Sequence, residues 1–236
     1  MNKIRLLFLL VLLSKLGYAQ EVEFIRFYTD QWEQTTKLKK AFYIQDVKLI
    51  EGNLNEVKEF DLHGRLLMQG QFSNLQPLIP NGRFEFYGID DKYDRCSGNY
   101  LNGEIIGEWS IYKNDTVRIV NYDSIQPTGF CIDSTDVFTW RDIPSFRNED
   151  PSISFRVFIK EEQFYPPFEK LFKIEGRVIV RFSIDQSGQM CNPEIAVSVN
   201  KNFDKEAIRI ISSSPDWANT KEKCTMFTFP VGFSTE

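Results

Sequence analysis

The sequence is poor in the residues that most catalytic and metal-binding chemistry requires. A single histidine, His63, occurs in 236 residues, and the four cysteines, Cys96, Cys131, Cys191 and Cys224, form no C-x-x-C pair. A structural zinc site draws four Cys or His ligands from close spacings, so this pattern argues against one. No glycine-rich phosphate loop and no nucleophile elbow is present. His63 lies in a turn with no nucleophile at any recognisable spacing and reads as an exposed loop residue. Positive charge is also short: 28 Lys and Arg stand against 33 Asp and Glu, for a net charge of −5. The basic residues are scattered, whereas a nucleic-acid footprint needs them massed. These absences predict a non-enzymatic protein with no catalytic residue, no metal, no small-molecule cofactor and no nucleic-acid partner.

Long apolar runs are equally scarce. Leu6–Leu13 is unbroken, but Lys15 interrupts it well short of the roughly 20 residues that span a bilayer. Lys3 and Arg5 precede the run, and Gly17-Tyr18-Ala19 offers a small-residue cleavage site. Residues 1–19 therefore predict a signal peptide cleaved near Ala19/Gln20, and an exported chain in the periplasm or envelope. An even cysteine count permits disulfides in that compartment. Cys191 and Cys224 fall on opposite faces of their strands with a third strand between them, which argues against that pair. Nothing better supports Cys96 with Cys131.

Aromatic residues are abundant, at 14% with 21 Phe, and favour β structure. Glu21–Leu49 reads as two short strands. From about Gly52 to Asp123 the chain repeats itself. Gly70-Gln71-Phe72 is echoed by Gly98-Asn99-Tyr100, and the stretch from Asn81 to Tyr87 by Gly107-Glu108-Trp109-Ser110-Ile111-Tyr112. Each unit reads glycine, aromatic strand, polar turn, strand, which predicts stacked hairpins at a period of roughly 25 residues. The unit Tyr100-Leu101-Asn102-Gly103…Gly107-Glu108-Trp109-Ser110-Ile111-Tyr112 resembles the MORN-type repeat family. Leu75–Pro80 interrupts the earlier copy and predicts a protruding loop. Residues 20–123 are thus one repeat module, and 124–141 a linker with one short strand at Val137–Trp140.

The pattern changes in residues 142–236. Ile153, Val157 and Phe158 predict a helix within Ser152–Glu162, after which Tyr165-Pro166-Pro167 predicts an extended turn. From Gly176, Val178, Val180, Phe182 and Ile184 alternate with polar residues, the signature of a half-buried strand. Asp185–Gly188 supplies the turn, and Met190–Val199 the return strand, with Ile195, Val197 and Val199 on one face. Asn200 to Asn202 caps a helix to about Ser213, with an apolar stripe of Phe203, Ala207, Ile208 and Ile211. Trp217 is a core anchor, and Cys224–Phe233 is the last strand. A right-handed crossover places the first strand between the other two, and Pro230 marks the last strand as an edge.

Tyr165-Pro166, Ile174-Glu175-Gly176, the run Val178–Ile184, Asp204…Glu206-Ala207, Pro215-Asp216-Trp217 and Phe227–Phe233 fall in an order that resembles the C-terminal domain of TonB. The family's W-x-P-G loop is here Trp217-Ala218-Asn219-Thr220. The resulting expectation is an α+β chain: antiparallel hairpin repeats, then a three-stranded sheet with the first strand central and helices on one face. The resemblance implies a docking edge on the last strand, contacting an extended peptide of an outer-membrane receptor or other envelope protein through Cys224, Thr225, Met226, Phe227, Thr228 and Phe229. Met226 and Thr228 face outward in that reading, and the same edge leaves open pairing with a second copy. An alternative assigns the binding to the repeats and leaves the C-terminal domain as a cap. Asp90-Asp91 and Glu161-Glu162 read as solvated acids, and Trp109 and Trp217 as packing residues.

Overall fold

The computed structural model describes residues 23–50, 54–123, 131, 137–139, 143–144, 146, 155–218 and 224–235. The segment read as a signal peptide, the start of the helix near Ser152, and Asn219 and Thr220 of the loop after Trp217 lie outside the described residues.

Eight strands follow one another as an antiparallel meander in sequence order. They are β1 (Glu23–Tyr28), β2 (Tyr43–Ile50), β3 (Leu54–Asp61), β4 (Leu66–Leu75), β5 (Leu78–Asp90), β6 (Tyr93–Leu101), β7 (Glu104–Lys113) and β8 (Thr116–Asn121). Local turn chemistry sets their lengths. Asn102 and Gly103 both take positive φ, 49° and 87°, as a two-residue hairpin between Leu101 and Glu104 requires. Asp61 Oδ1 accepts from the backbone N–H of His63 and Arg65 and closes the β3–β4 turn. Leu75–Pro80 does not protrude. Leu75 pairs with Leu78 across a two-residue turn, and both leucines pack on the core, so the insertion lengthens a hairpin instead.

The repeated glycines have a steric cause. Gly70 lies opposite Phe84, and a Cβ on Gly70 would sit 2.2 Å from that ring. A Cβ on Gly98 would sit 2.2 Å from the indole of Trp109. Each glycine therefore leaves the bed on which the next strand's aromatic ring lies flat. Phe72, Phe84, Tyr100 and Trp109 then pack edge-to-face in series, at centroid distances of 5.1, 5.2 and 5.3 Å, all buried.

The second sheet has four strands in the order β11-β10-β12-β9. They are β9 (Val137–Thr139), β10 (Gly176–Ile184), β11 (Met190–Val197) and β12 (Thr225–Phe233). β10 is central and antiparallel to both β11 and β12, as the crossover rule predicts, and its pairing with β12 is unbroken from Gly176–Phe233 to Ile184–Thr225. The three expected strands are present in the expected order, and β9 adds a fourth outside β12. Three helices accompany this sheet: α1 (Phe155–Glu162), α2 (Pro167–Leu171) and α3 (Lys201–Ser212). Tyr165 and Pro166 lie outside any helix, with Pro166 extended as the turn requires, but Pro167 opens α2, because a proline at the first helical position starts a helix as readily as it breaks one. Asn200 caps α3 by accepting from the N–H of Asn202 and Phe203. Along α3, Phe203, Ala207, Ile210 and Ile211 are buried, with Ile208 at the margin. Of the residues read as sharing one face of the return strand, Ile195 packs against the core, whereas Val197 and Val199 are exposed.

Each sheet has its own apolar core, and the segment between α1 and β10 contributes to that of the eight-stranded sheet. Phe164, Phe168, Leu171 and Phe172 pack on the inner face of the eight-stranded sheet, against Tyr93, Phe72, Tyr100 and Trp32. Polar contacts fix the register. Glu206, fully buried, accepts from Tyr122 Oη (2.8 Å) and Phe164 N (2.7 Å) and pairs with Arg209. Asn202 Oδ1 accepts from Ile105 N, and its amide donates to Gly103 O and to Glu169. The C-terminal carbonyls around α1 are covered by cations: Lys92 on Lys160 O and Gln163 O, and Arg118 and Arg209 on Glu162 O. Cations there complement the negative end of the helix dipole.

Gly98→Ala should cost about 3 kcal/mol of unfolding free energy in urea, since the ring beneath it cannot move within a packed core; a loss under about 1 kcal/mol would refute the steric account. Burial also pushes the Glu59 carboxyl up to about 8, with a single bond from Gln45, and Glu169 up to about 7. Both acids hold a proton in the fold that the unfolded chain releases above roughly pH 4.5. Their contribution is therefore complete below that pH and is lost as pH rises toward 8. Glu59→Gln should flatten most of that decline, on the order of a few kcal/mol, in denaturation curves at pH 5 and 8.5; an unchanged slope refutes it.

Candidate functional site

The six residues expected to meet a partner lie at and along the start of β12, and the strand's alternation divides them. Phe227 and Phe229 point into the core, where Phe229 packs edge-to-face on Phe155 at 4.6 Å and Phe227 lies 6.1 Å from Phe182. Met226 and Thr228 have the opposite parity and are half-buried. Cys224, just before the strand, and Thr225 are also half-buried, and Cys224 is a free thiol.

The backbone edge of this stretch is not open. β9 pairs with it in parallel, Val137 opposite Met226, Phe138 opposite Phe227 and Thr139 opposite Thr228. The strand expected within the linker thus belongs to the C-terminal sheet and occupies the middle of the predicted docking stretch. The pairing stops at Thr228, before Pro230, which has no N–H to add to a ladder. Beyond it, Phe229, Pro230 and Gly232 border a groove of about 440 Å³, whose other wall is Arg156, Ile159, Lys160 and Gln163 of α1 and its exit, with Arg177 from β10. Gln163 Nε2 donates to Gly232 O at 2.9 Å and fixes the far end. The described lining residues carry three cations and no acid.

A disulfide joins Cys131 to Cys191, with a Cα–Cα distance of 6.2 Å, and Asn192 Nδ2 donates to Cys131 O. Neither pairing weighed from the sequence involves these two together, because Cys131 lies outside the strands whose parity was compared. Cys96 is buried, and burial pushes its thiol far above the usual range.

The remaining candidates resolve into structural roles. His63 is exposed in the β3–β4 turn. Asp90 pairs with Lys170 at 3.5 Å and Glu162 with Arg118, so these acids meet cations across the junction of the two sheets instead of facing one another. Trp109 and Trp217 are fully buried. Among the described residues no group of three or more His, Cys, Asp or Glu could hold a metal ion, and no helix is long and apolar enough to cross a membrane. What the site offers chemically is backbone pairing along an edge, beside a groove of positive charge. The sequence reading anticipated a strand at β9 but missed its pairing with β12, and it missed the basic wall. The Val-Phe-Thr run signalled a strand but not its neighbour.

No curated protein and no solved structure matches the chain significantly. A family model does, over a part that begins within α1 and runs to the end of β12, leaving β9 and the eight-stranded sheet outside it. Residues 161–235, about a third of the chain, match the model of the Gram-negative bacterial TonB protein C-terminal, and that segment belongs to this family.

Proposed function

We propose that this chain is an exported, non-enzymatic protein of a two-membrane envelope whose C-terminal sheet binds an extended segment of an envelope or outer-membrane partner by strand addition to β12. One observation carries the reading: this edge already accepts an added strand, β9, with the backbone of Met226–Thr228 as its template. An edge strand presents free N–H and C=O groups that an extended peptide satisfies, and alternate side chains supply selectivity. The family match supports a protein-interaction role in the envelope, and a link to TonB-dependent transport follows from the same resemblance. The MORN-type character of the repeats belongs to this proposal too. They form a stiff platform under the binding module.

A second reading has its own support. The C-terminal module covers the inner face of the eight-stranded sheet, as a cap would. In that version the outer face or edges of the repeats meet the partner.

The packing of the C-terminal segment into the core of the first sheet dictates the experiment. A fragment of residues 142–236 would bare Phe164, Leu171 and the polar face of α3, so the full mature chain is the appropriate material. Titration of isotope-labelled protein with synthetic peptides from the extended segments of outer-membrane receptors should shift the amides of Thr225–Phe229. Shifts confined to residues 54–121 would overturn the leading reading in favour of the second.

A further inference from the structure

We infer that β9 is a cis-acting strand that closes the partner edge of β12 and must leave before an external strand can pair there. The inference rests on the docking role proposed above and adds its regulation.

Three observations carry it. First, β9 covers the backbone of Met226, Phe227 and Thr228, which are half of the residues expected to meet a partner. Two strands cannot share one row of hydrogen-bonding groups, so occupancy is exclusive. Second, the closure is short. Three residue pairs hold β9, against nine between β12 and β10, so it is the weakest pairing in the sheet and the one most easily exchanged.

Third, the chain is tethered so that β9 stays within reach. Cys191, Ser183, Met226 and Val137 stand opposite one another in a single row across all four strands. At about 4.8 Å per strand, Cys191 and Val137 are roughly 14 Å apart. The disulfide fixes Cys131 beside Cys191, and the chain from Cys131 to Val137 reaches about 20 Å when extended. That reach exceeds the separation of the two positions by only a few ångström, so the disulfide keeps β9 near this edge. On the other side, Phe146 is bridged to Trp217 in the core. A strand held at both ends acts at a high effective concentration, in the millimolar range for short links. It lowers the apparent affinity of any external strand by the fraction of time the edge is closed. β9 also lies outside the segment matched by the family model.

The test uses the full mature chain and, as probe, a synthetic peptide of residues Ser134–Arg141. Two variants break the cis strand: Phe138→Pro, and Val137→Pro with Thr139→Pro. Alternate residues of a parallel strand bond to its neighbour, so one of the two removes the ladder donors whichever face they occupy. In wild type, amides in Met226–Thr228 should exchange slowly and the peptide should bind weakly. In at least one variant the protection should fall, and the peptide should bind about tenfold tighter or better and restore it. A third variant, Thr139→Cys with Thr228→Cys, locks the strand when oxidised. It should retain the fold, refuse the peptide, and accept it after reduction.

Unchanged amide protection in both proline variants, or peptide affinity within about twofold of wild type in all of them, would overturn the inference. An oxidised lock that binds peptide as wild type does would also overturn it. Failure of the docking role looks different: the opened variant would take the Ser134–Arg141 peptide and refuse receptor peptides.

Discussion

A carboxylate taken wholly out of water is tolerated only when its oxygens are met by donors, because its desolvation costs several kcal/mol. Glu206 meets that condition with groups from three places: a tyrosine at the end of the first sheet, a backbone amide after α1, and the arginine one turn along its own helix. Remove any of them and a buried acceptor is left short. The placement of α3 between the two sheets follows from this. The helix carries two buried stripes. Phe203, Ala207, Ile210 and Ile211 face the four-stranded sheet, whereas Asn202 and Glu206, four residues apart on another side, bind the eight-stranded one. Apolar area drives the first contact and is indifferent to small slips. The polar contacts are directional, and they set where along the first sheet the second module sits.

That division explains what was legible in the sequence. Features fixed by neighbours in the chain were readable: the Asn102-Gly103 hairpin, the Asn200 cap, the alternation through Val178–Ile184, the parity of Phe227 and Phe229. The glycine–aromatic repeat was readable as a period but not as a cause, since the ring that occupies each glycine's space comes from the adjacent strand. The polar stripe of α3 was not readable at all. Asn202 and Glu206 look like solvated helix residues until a second sheet is placed against them. α2 was missed because five residues are too few to show a period and Pro166-Pro167 signals a break.

The candidate site followed the same rule. β12 and its direction of alternation were legible because nine residues alternate. The identity of its outer neighbour was not, since three residues of β-favouring sequence could pair with any edge in reach. Only tertiary geometry, with Cys131 held beside Cys191, brings that segment to this edge. Short strands take their partners from where the chain is tied.

The clamp between the modules also acts as a ruler. At one end Asn202 grips the turn and strand at Gly103 and Ile105. At the other, Phe172 packs at 4.3 Å on Trp32, which stacks on Tyr43, and Lys173 reaches Asp30 O. In an open array of hairpins a unit can be duplicated or lost, because each touches only its neighbours. Here one more hairpin between β2 and β7 would move one end of the clamp by about 10 Å, two strand spacings, and neither end could follow. The number of hairpins between those strands is thus counted by a part of the chain that is not itself repeated. Drift in repeat number is open only to strands outside that span.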